Sequence, residues 1–277
     1  MKKLSLLLAL TLCLGLLCSC GQKPADGDKP VLRVGMECIY APYNWSQSGE
    51  ENGALPIAGS RDFAYGYDVM IAKYLAEKMG YEVEIHKIDW DGLPLALGAD
   101  KVDCVIAGQS ITAERQQTVD FTSPYYYASI VGLTMKNGPY ADAKGLSELS
   151  GAVCTSQINT VWYKECLPQI KDAQILPAME SAPAMLVALS SGACELVVTD
   201  KPTALAACIA YPDMIMLDFS GKDDDFKVSE EEINIGISVK KGNTELLDAL
   251  NEALATLTKD DFTRMMDEAI SVQPLSK

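Results

Sequence analysis

The sequence predicts an α/β fold with a mostly parallel sheet, and three observations carry that expectation. Strand-like and helix-like patterns alternate from Val31 onward, the helical stretches have apolar faces and end signals, and small or polar residues follow the apolar runs. "VLRVGM" (31–36) reads as the first strand. "YDVMIAKYLAEKMG" (67–80) sets Ile71, Leu75 and Met79 on one helical face and stops at Gly80. "YEVEIHKI" (81–88) alternates, with Val83 and Ile85 opposed to Glu84 and His86, which places His86 in solvent. "GLPLALGADKVDCVIAG" (92–108) gives a short helix, a turn and a buried strand. Strands follow at "GAVCTS", "AQILPA", "CELVVT" and "INIGISV", with helices at "SAPAMLVALSSG" and "TELLDALNEALATL". Ser46–Phe63, rich in glycine and polar residues, reads as one long loop.

The first residues read as an export signal. Lys2 and Lys3 precede an uncharged run from Leu4 to Leu17, too short for an ordinary membrane-spanning helix. Leu17-Cys18-Ser19-Cys20 then resembles a bacterial lipobox, with Cys18 a mild departure from it. That resemblance implies removal of residues 1–19 and acylation of Cys20, which anchors the protein without a spanning segment. Residues 20–30 form a polar, turn-rich tether. The alternative is a plain secreted protein whose leader contains cysteines.

Charge narrows the partners. Removing Lys2 and Lys3 takes the formal charge from −15 to −17. Such a surface repels nucleic acid and anionic headgroups, so neither is expected as a partner. Six cysteines follow the lipobox: Cys38, Cys104, Cys154, Cys166, Cys194 and Cys208. They are scattered, with no C-x-x-C pair, and read as small core residues; their spacing fixes neither a metal site nor a disulfide framework.

The most informative stretch is "VDCVIAGQSITAERQQTVDFTSPYYY" (102–127). Its buried run ends in Gly108-Gln109-Ser110, and Thr112 reads as the cap of a helix with Arg115 in the first turn. In open α/β sheets ligands gather at the carboxyl ends of strands. A guanidinium added to free helix N–H groups suits a carboxylate held between them. A surface ion pair with Glu114 or Asp120 is the bland alternative. Other polar groups occupy comparable strand ends: Glu37 and Tyr40 in "GMECIYAPYNW", Gln157, Asn159 and Thr160 in "SQINT", and Asp200 in "VVTDKP". Tyr67 precedes Asp68, read as a helix cap.

"YAPY", "GYDV", "SITAERQQTVDFTSPYY", "QINT" and "ISVKKGNTELLDALNEAL" together resemble the bacterial extracellular solute-binding proteins of family 3, the polar amino-acid receptors of ABC importers. The chain is similar to the lysine/arginine/ornithine- and glutamine-binding proteins of that family. The resemblance implies a periplasmic-binding-protein-like fold, two α/β lobes joined by a two-strand hinge with the ligand cleft between them. Lobe 1 is expected at 31–127 plus 236–277 and lobe 2 at 128–235, with hinges near Tyr127–Ile130 and Glu232–Ile235. It implies that Arg115 clamps the carboxylate of a free L-amino acid, aided by Ser110 and Thr160. Asp200 and the Gly108 carbonyl take the ammonium, Tyr40 and Tyr67 sandwich the side chain, and Glu37 and Gln157 read its end. The expected partners are that amino acid, the permease subunits of an importer and, through lipid alone, a membrane. The protein is expected to be a monomer that uses no cofactor or metal.

Departures qualify the match. Ile158-Asn159 stands where the family has glycine and a small residue, the 46–63 loop is long and is expected near the cleft mouth, and the last helix lacks a glycine-tyrosine pattern. Trp45 and Trp90 are read as packing residues, Tyr125–Tyr127 as hinge packing, and Asp223–Asp225 as a solvated loop. The single histidine, His86, leaves no serine or cysteine triad, and no G-x-S-x-G, H-E-x-x-H or phosphate-binding glycine loop is present. The expectation is a binding protein rather than an enzyme. The alternatives are a cyclohexadienyl-type dehydratase, with Glu37 as general acid, and an amino-acid-sensing or adhesive lipoprotein.

Overall fold

The computed structural model describes residues 29–229 and 233–274. Cys20, the leader and Glu232 of the expected hinge lie outside the described residues. Among the described residues, those from Val31 onward form one compact unit. No helix among the described residues is long and apolar enough to cross a membrane.

Two five-stranded sheets organise this unit. The first runs in the order Glu82–Lys87, Val31–Met36, Cys104–Val105, Ser238–Lys240, Val119–Phe121. The second runs Gln174–Ile175, Val153–Thr155, Leu196–Asp200, Ile130–Met135, Met214–Leu217. Each holds three parallel strands, centred on Val31–Met36 or Val153–Thr155. Each then continues with an antiparallel strand, Ser238–Lys240 or Ile130–Met135, that enters just after the chain has crossed between the sheets. The expectation of a mostly parallel sheet is therefore corrected to a mixed one, because the crossing strands arrive from the opposite direction. The crossings are Tyr126–Tyr127 and Asn234–Ile235, which pair antiparallel with each other. The "INIGISV" strand is accordingly two short strands, Asn234–Ile235 in the crossing and Ser238–Lys240 in the first sheet.

The helices follow from their capping signals. Helix α1 (Tyr67–Met79) buries Ile71 and Leu75 and ends at Gly80, whose φ of 76° is the left-handed conformation glycine adopts without strain. Its N-cap is Gly66, and Asp68 is a buried first-turn residue rather than the cap. Helices α2 (Leu93–Gly98), α3 (Ala182–Ser190), α4 (Lys201–Ala210), α5 (Thr244–Leu254) and α6 (Lys259–Val272) complete the set used here. Ser181, Asp200, Asn243 and Thr258 cap the last four through their side chains, and Thr258 forms a reciprocal capping box with Asp261.

Several sequence expectations need correction. Ser46–Phe63 is not one loop. Asn44–Gln47, Leu55–Pro56 and Phe63–Tyr65 join Ile39–Tyr40 in a four-stranded antiparallel sheet. Ile57 bridges to Ile85, so this segment covers the edge of the first sheet instead of the cleft mouth. Arg115 lies in a three-residue 3₁₀ turn, Arg115–Gln117, rather than an α-helix, although the Thr112 hydroxyl still accepts its N–H at 3.2 Å. Tyr125 is buried, but Tyr127 is 60% exposed. His86 is half-buried and bonded to Glu84 at 2.7 Å. Asp224 is exposed, yet it accepts the Ser147 hydroxyl and N–H and so anchors its loop. Cys38, Cys104, Cys154, Cys166 and Cys194 are buried and Cys208 half-buried.

Candidate functional site

The carboxyl ends of the parallel strands from both sheets converge on one cleft. Glu37 follows Val31–Met36, Gly108 and Ser110 follow Cys104–Val105, Gln157 and Thr160 follow Val153–Thr155, and Asp200 ends Leu196–Asp200. A cavity of about 10 Å³ between the lobes is lined by Tyr40, Trp90, Gly108, Ser110, Arg115, Gln157, Thr160 and Trp162. Trp90, Arg115 and Thr160 also line an outer groove of about 690 Å³. These three therefore form the partition between the cavity and the groove that leads to solvent.

Among the described residues, Arg115 is the only cation bounding the cavity. Its Nη1 donates to the Ser110 carbonyl and its Nη2 to the Asn159 carbonyl, each at 2.8 Å. Ser110 follows a strand of the first sheet and Asn159 a strand of the second. No carboxylate pairs with it among the described residues, and its carbon lies 5.2 Å from the centre of the Trp90 ring. Burial lowers its pKa to about 10, an effect Glu114 only partly offsets. A guanidinium with five donors, two of them spent on neutral carbonyls, can still take an anion in bidentate fashion.

Across the cleft, Asp200 is fully buried at the start of α4. Its carboxylate accepts the Thr203 N–H at 2.8 Å and the Tyr40 hydroxyl at 2.7 Å, the latter from the other lobe. Burial raises its pKa, and these two bonds restrain the rise. Gly108 has φ 60°, and a Cβ there would stand 2.7 Å from Tyr40 Cε1. Glycine thus brings its backbone against the tyrosine ring. The loop after it is pinned to the crossing strand: Ile111 N–H donates to the Asn234 carbonyl and Gly236 N–H to the Gln109 carbonyl.

Two further buried acids surround the cleft. Burial pushes Glu37 up to about 8, with Gln157 opposing that shift and Asp89 adding to it. Gln157 itself is buried, and its Nε2, although near enough to Glu37 to favour the carboxylate, makes no hydrogen bond of good geometry among the described residues. Burial likewise raises Asp68 to about 7, against bonds from the Tyr125 hydroxyl at 2.7 Å and Asn44 Nδ2 at 2.8 Å.

Of the residues singled out from sequence, Tyr40, Gly108, Ser110, Arg115, Gln157 and Thr160 meet at the cavity. Glu37 and Asp200 are not part of its wall; Asp200 connects to it through Tyr40 and Glu37 through its neighbour Gln157. Tyr67 is placed apart from it. Its ring stacks on Tyr125 at 5.7 Å, its hydroxyl donates to the Tyr125 carbonyl, and Tyr43 stands between it and Tyr40. Sequence reasoning missed Trp162 and took Trp90 for packing. Trp90 follows Glu82–Lys87, itself a parallel strand, so the strand-end rule would have found it.

Residues 32–269 match the bacterial extracellular solute-binding proteins of family 3. The chain belongs to that family. The L-arginine-binding protein of Pseudomonas aeruginosa is 30% identical over 271 residues, which cover 93% of this chain and 92% of that protein. The L-cystine-binding protein TcyJ of Escherichia coli K12 is 26% identical over 241 residues, 87% of this chain and 82% of that protein. Among solved structures, an ancestral arginine-binding protein bound to arginine superposes with a TM-score of 0.68 at 30% identity, covering 87% of this chain and 98% of the other. The two sheets linked by paired crossing strands form the two-lobed, periplasmic-binding-protein-like fold of these structural neighbours.

Proposed function

We propose that this solute-binding protein captures a free amino acid for an ABC importer, holding the ligand carboxylate at Arg115 and its ammonium at Asp200. The carrying observation is the Arg115 guanidinium, which bounds the cavity and, among the described residues, meets two backbone carbonyls and the Trp90 ring but no carboxylate. A zwitterion supplies the missing carboxylate and the donor that Asp200 otherwise takes from Tyr40. Because the two charges sit on opposite lobes, each lobe alone satisfies half of such a ligand, and closure is coupled to binding.

Residues 31–127 with 236–277 and residues 128–235 act as the two moving lobes in this reading, turning about Tyr126–Tyr127 and Asn234–Ile235. Ser110 and Thr160 support the carboxylate end, the Gly108 carbonyl the ammonium end, and Tyr40 packs the side chain. Trp90, which lines the same cavity, takes the place first given to Tyr67. Glu37 and Gln157 favour a polar or cationic side chain, because the buried Gln157 amide lacks a partner that such a side chain provides and Glu37 is a buried acid beside it. The role is capture rather than catalysis, by a monomer lipidated at Cys20 and handed to a permease.

Calorimetric titration of the purified protein with each of the twenty amino acids tests the reading. One-to-one saturable binding of a polar or cationic amino acid is expected, and failure of every amino acid to bind would refute it. Cys20→Ser is expected to release the protein from membranes into the soluble fraction.

A further inference from the structure

The cleft mouth carries a set of cross-lobe contacts that the ligand reading does not use. Asn159 Nδ2 donates to Asp91 Oδ1 at 2.8 Å, and the Trp90 indole N–H donates to the Ile158 carbonyl at 3.1 Å. Lys164 pairs with Glu114 at 2.8 Å, but the two side chains are 41% and 72% exposed, and such a pair contributes little. Asn159 is the residue that does two things at once. Its side chain holds Asp91, while its own carbonyl accepts from Arg115 Nη2. Its φ of 56° is a left-handed conformation that asparagine tolerates better than most side chains.

We infer that Asp91 and Asn159 are positioning residues that fix the Arg115 guanidinium only when the lobes meet, and so set how long a ligand is held. The inference rests on the reading of Arg115 as the carboxylate clamp. With only the Ser110 carbonyl and the Trp90 face, one prong of the guanidinium is held and the group can still swing about that bond over the ring. The Asn159 carbonyl holds the second prong from the opposite lobe, and the Asp91 bond keeps that carbonyl in place. Asp91 and Asn159 both line the outer groove, and neither bounds the inner cavity. They therefore act on dissociation without touching the ligand, and ligand preference is independent of them.

Stopped-flow tryptophan fluorescence tests this with the amino acid that binds the wild-type protein most tightly among the twenty. The Asp91–Asn159 bond is itself solvent-exposed, so Asp91→Ala is expected to raise the dissociation rate about threefold and leave the association rate unchanged. Asn159→Gly, which keeps the left-handed backbone and the carbonyl but loses the amide, is expected to match it. The double variant adds nothing further, because both changes cut one bond. Asp91→Asn retains an oxygen acceptor and restores slow release. The order of affinities among amino acids stays the same in all four proteins. An unchanged dissociation rate in Asp91→Ala, or a reordered ligand preference, would overturn the inference while leaving the clamp intact. Failure of the wild-type protein to bind any amino acid would remove the clamp reading, and this inference with it.

Discussion

Arg33 and Arg115 are chemically identical side chains in two regions of one sheet's surroundings, and their partners differ completely. Arg33 lies in the first strand of the first sheet, where Nε and Nη2 donate to Asp103 at 3.1 and 2.5 Å and Nη1 to the Asp100 carbonyl. Its charge is answered within the fold. Arg115, at the carboxyl end of the same sheet, has two carbonyls and an indole face but no acid. A fold that can supply an aspartate to a partly exposed arginine, and supplies none to the one bounding a cavity, has left that charge for something else. The contrast separates an arginine that serves stability from one that serves binding.

Substitutions can break that contrast or sharpen it. The largest effect is expected from Arg115→Ala, which should weaken amino-acid binding by at least about 2 kcal/mol, measured by calorimetry, with little change in thermal stability. Gly108→Ala comes next. Its Cβ would meet the Tyr40 ring at 2.7 Å in a backbone conformation that alanine resists, and Tyr40 would lose its alignment with Asp200. About tenfold weaker binding is expected, together with a loss of about 1 kcal/mol in stability. Arg33→Ala should reverse the pattern of Arg115→Ala: at most about 1 kcal/mol of stability lost in denaturant unfolding, and unchanged affinity.

The smallest effect is one of pH. Burial holds Glu37 up to about 8 and Asp68 up to about 7, above their ordinary values of 4.5 and 3.8. The folded chain therefore keeps protons that the unfolded chain releases, and the contribution to stability is complete below those ordinary values. It declines as pH rises toward 8. Thermal unfolding followed from pH 5 to pH 8 should show that decline, and Glu37→Gln should flatten it. A Glu37→Gln protein with the same slope as wild type would mean that Glu37 is ionised in the fold.

The strand-end rule made most of the cleft legible in advance, because it needs only local signals. An apolar run followed by glycine or a small polar residue marks the place where Glu37, Gly108, Ser110, Gln157 and Asp200 converge. What stayed hidden depends on contacts distant in sequence. Tyr67 and Tyr43 are both tyrosines near the first helix, and only the stacking of Tyr43 on Tyr40 decides which one lies next to the site. The 46–63 segment looked like a loop because its glycines and polar residues mask strands of two to four residues, too short to show alternation. Parallel and antiparallel neighbours were indistinguishable for the same reason: the direction of Ser238–Lys240 is set by the chain crossing, not by its own residues.

The most direct test of Arg115 as the carboxylate clamp uses the ligand as the probe. The amino acid that binds best is titrated against the wild-type and Arg115→Ala proteins, alongside its carboxamide, which keeps the ammonium and side chain but removes the negative charge. The wild-type protein should prefer the acid by about a hundredfold or more, and Arg115→Ala should barely distinguish the two. Equal binding of acid and amide by the wild-type protein would show that the unanswered charge of Arg115 is not there for a carboxylate.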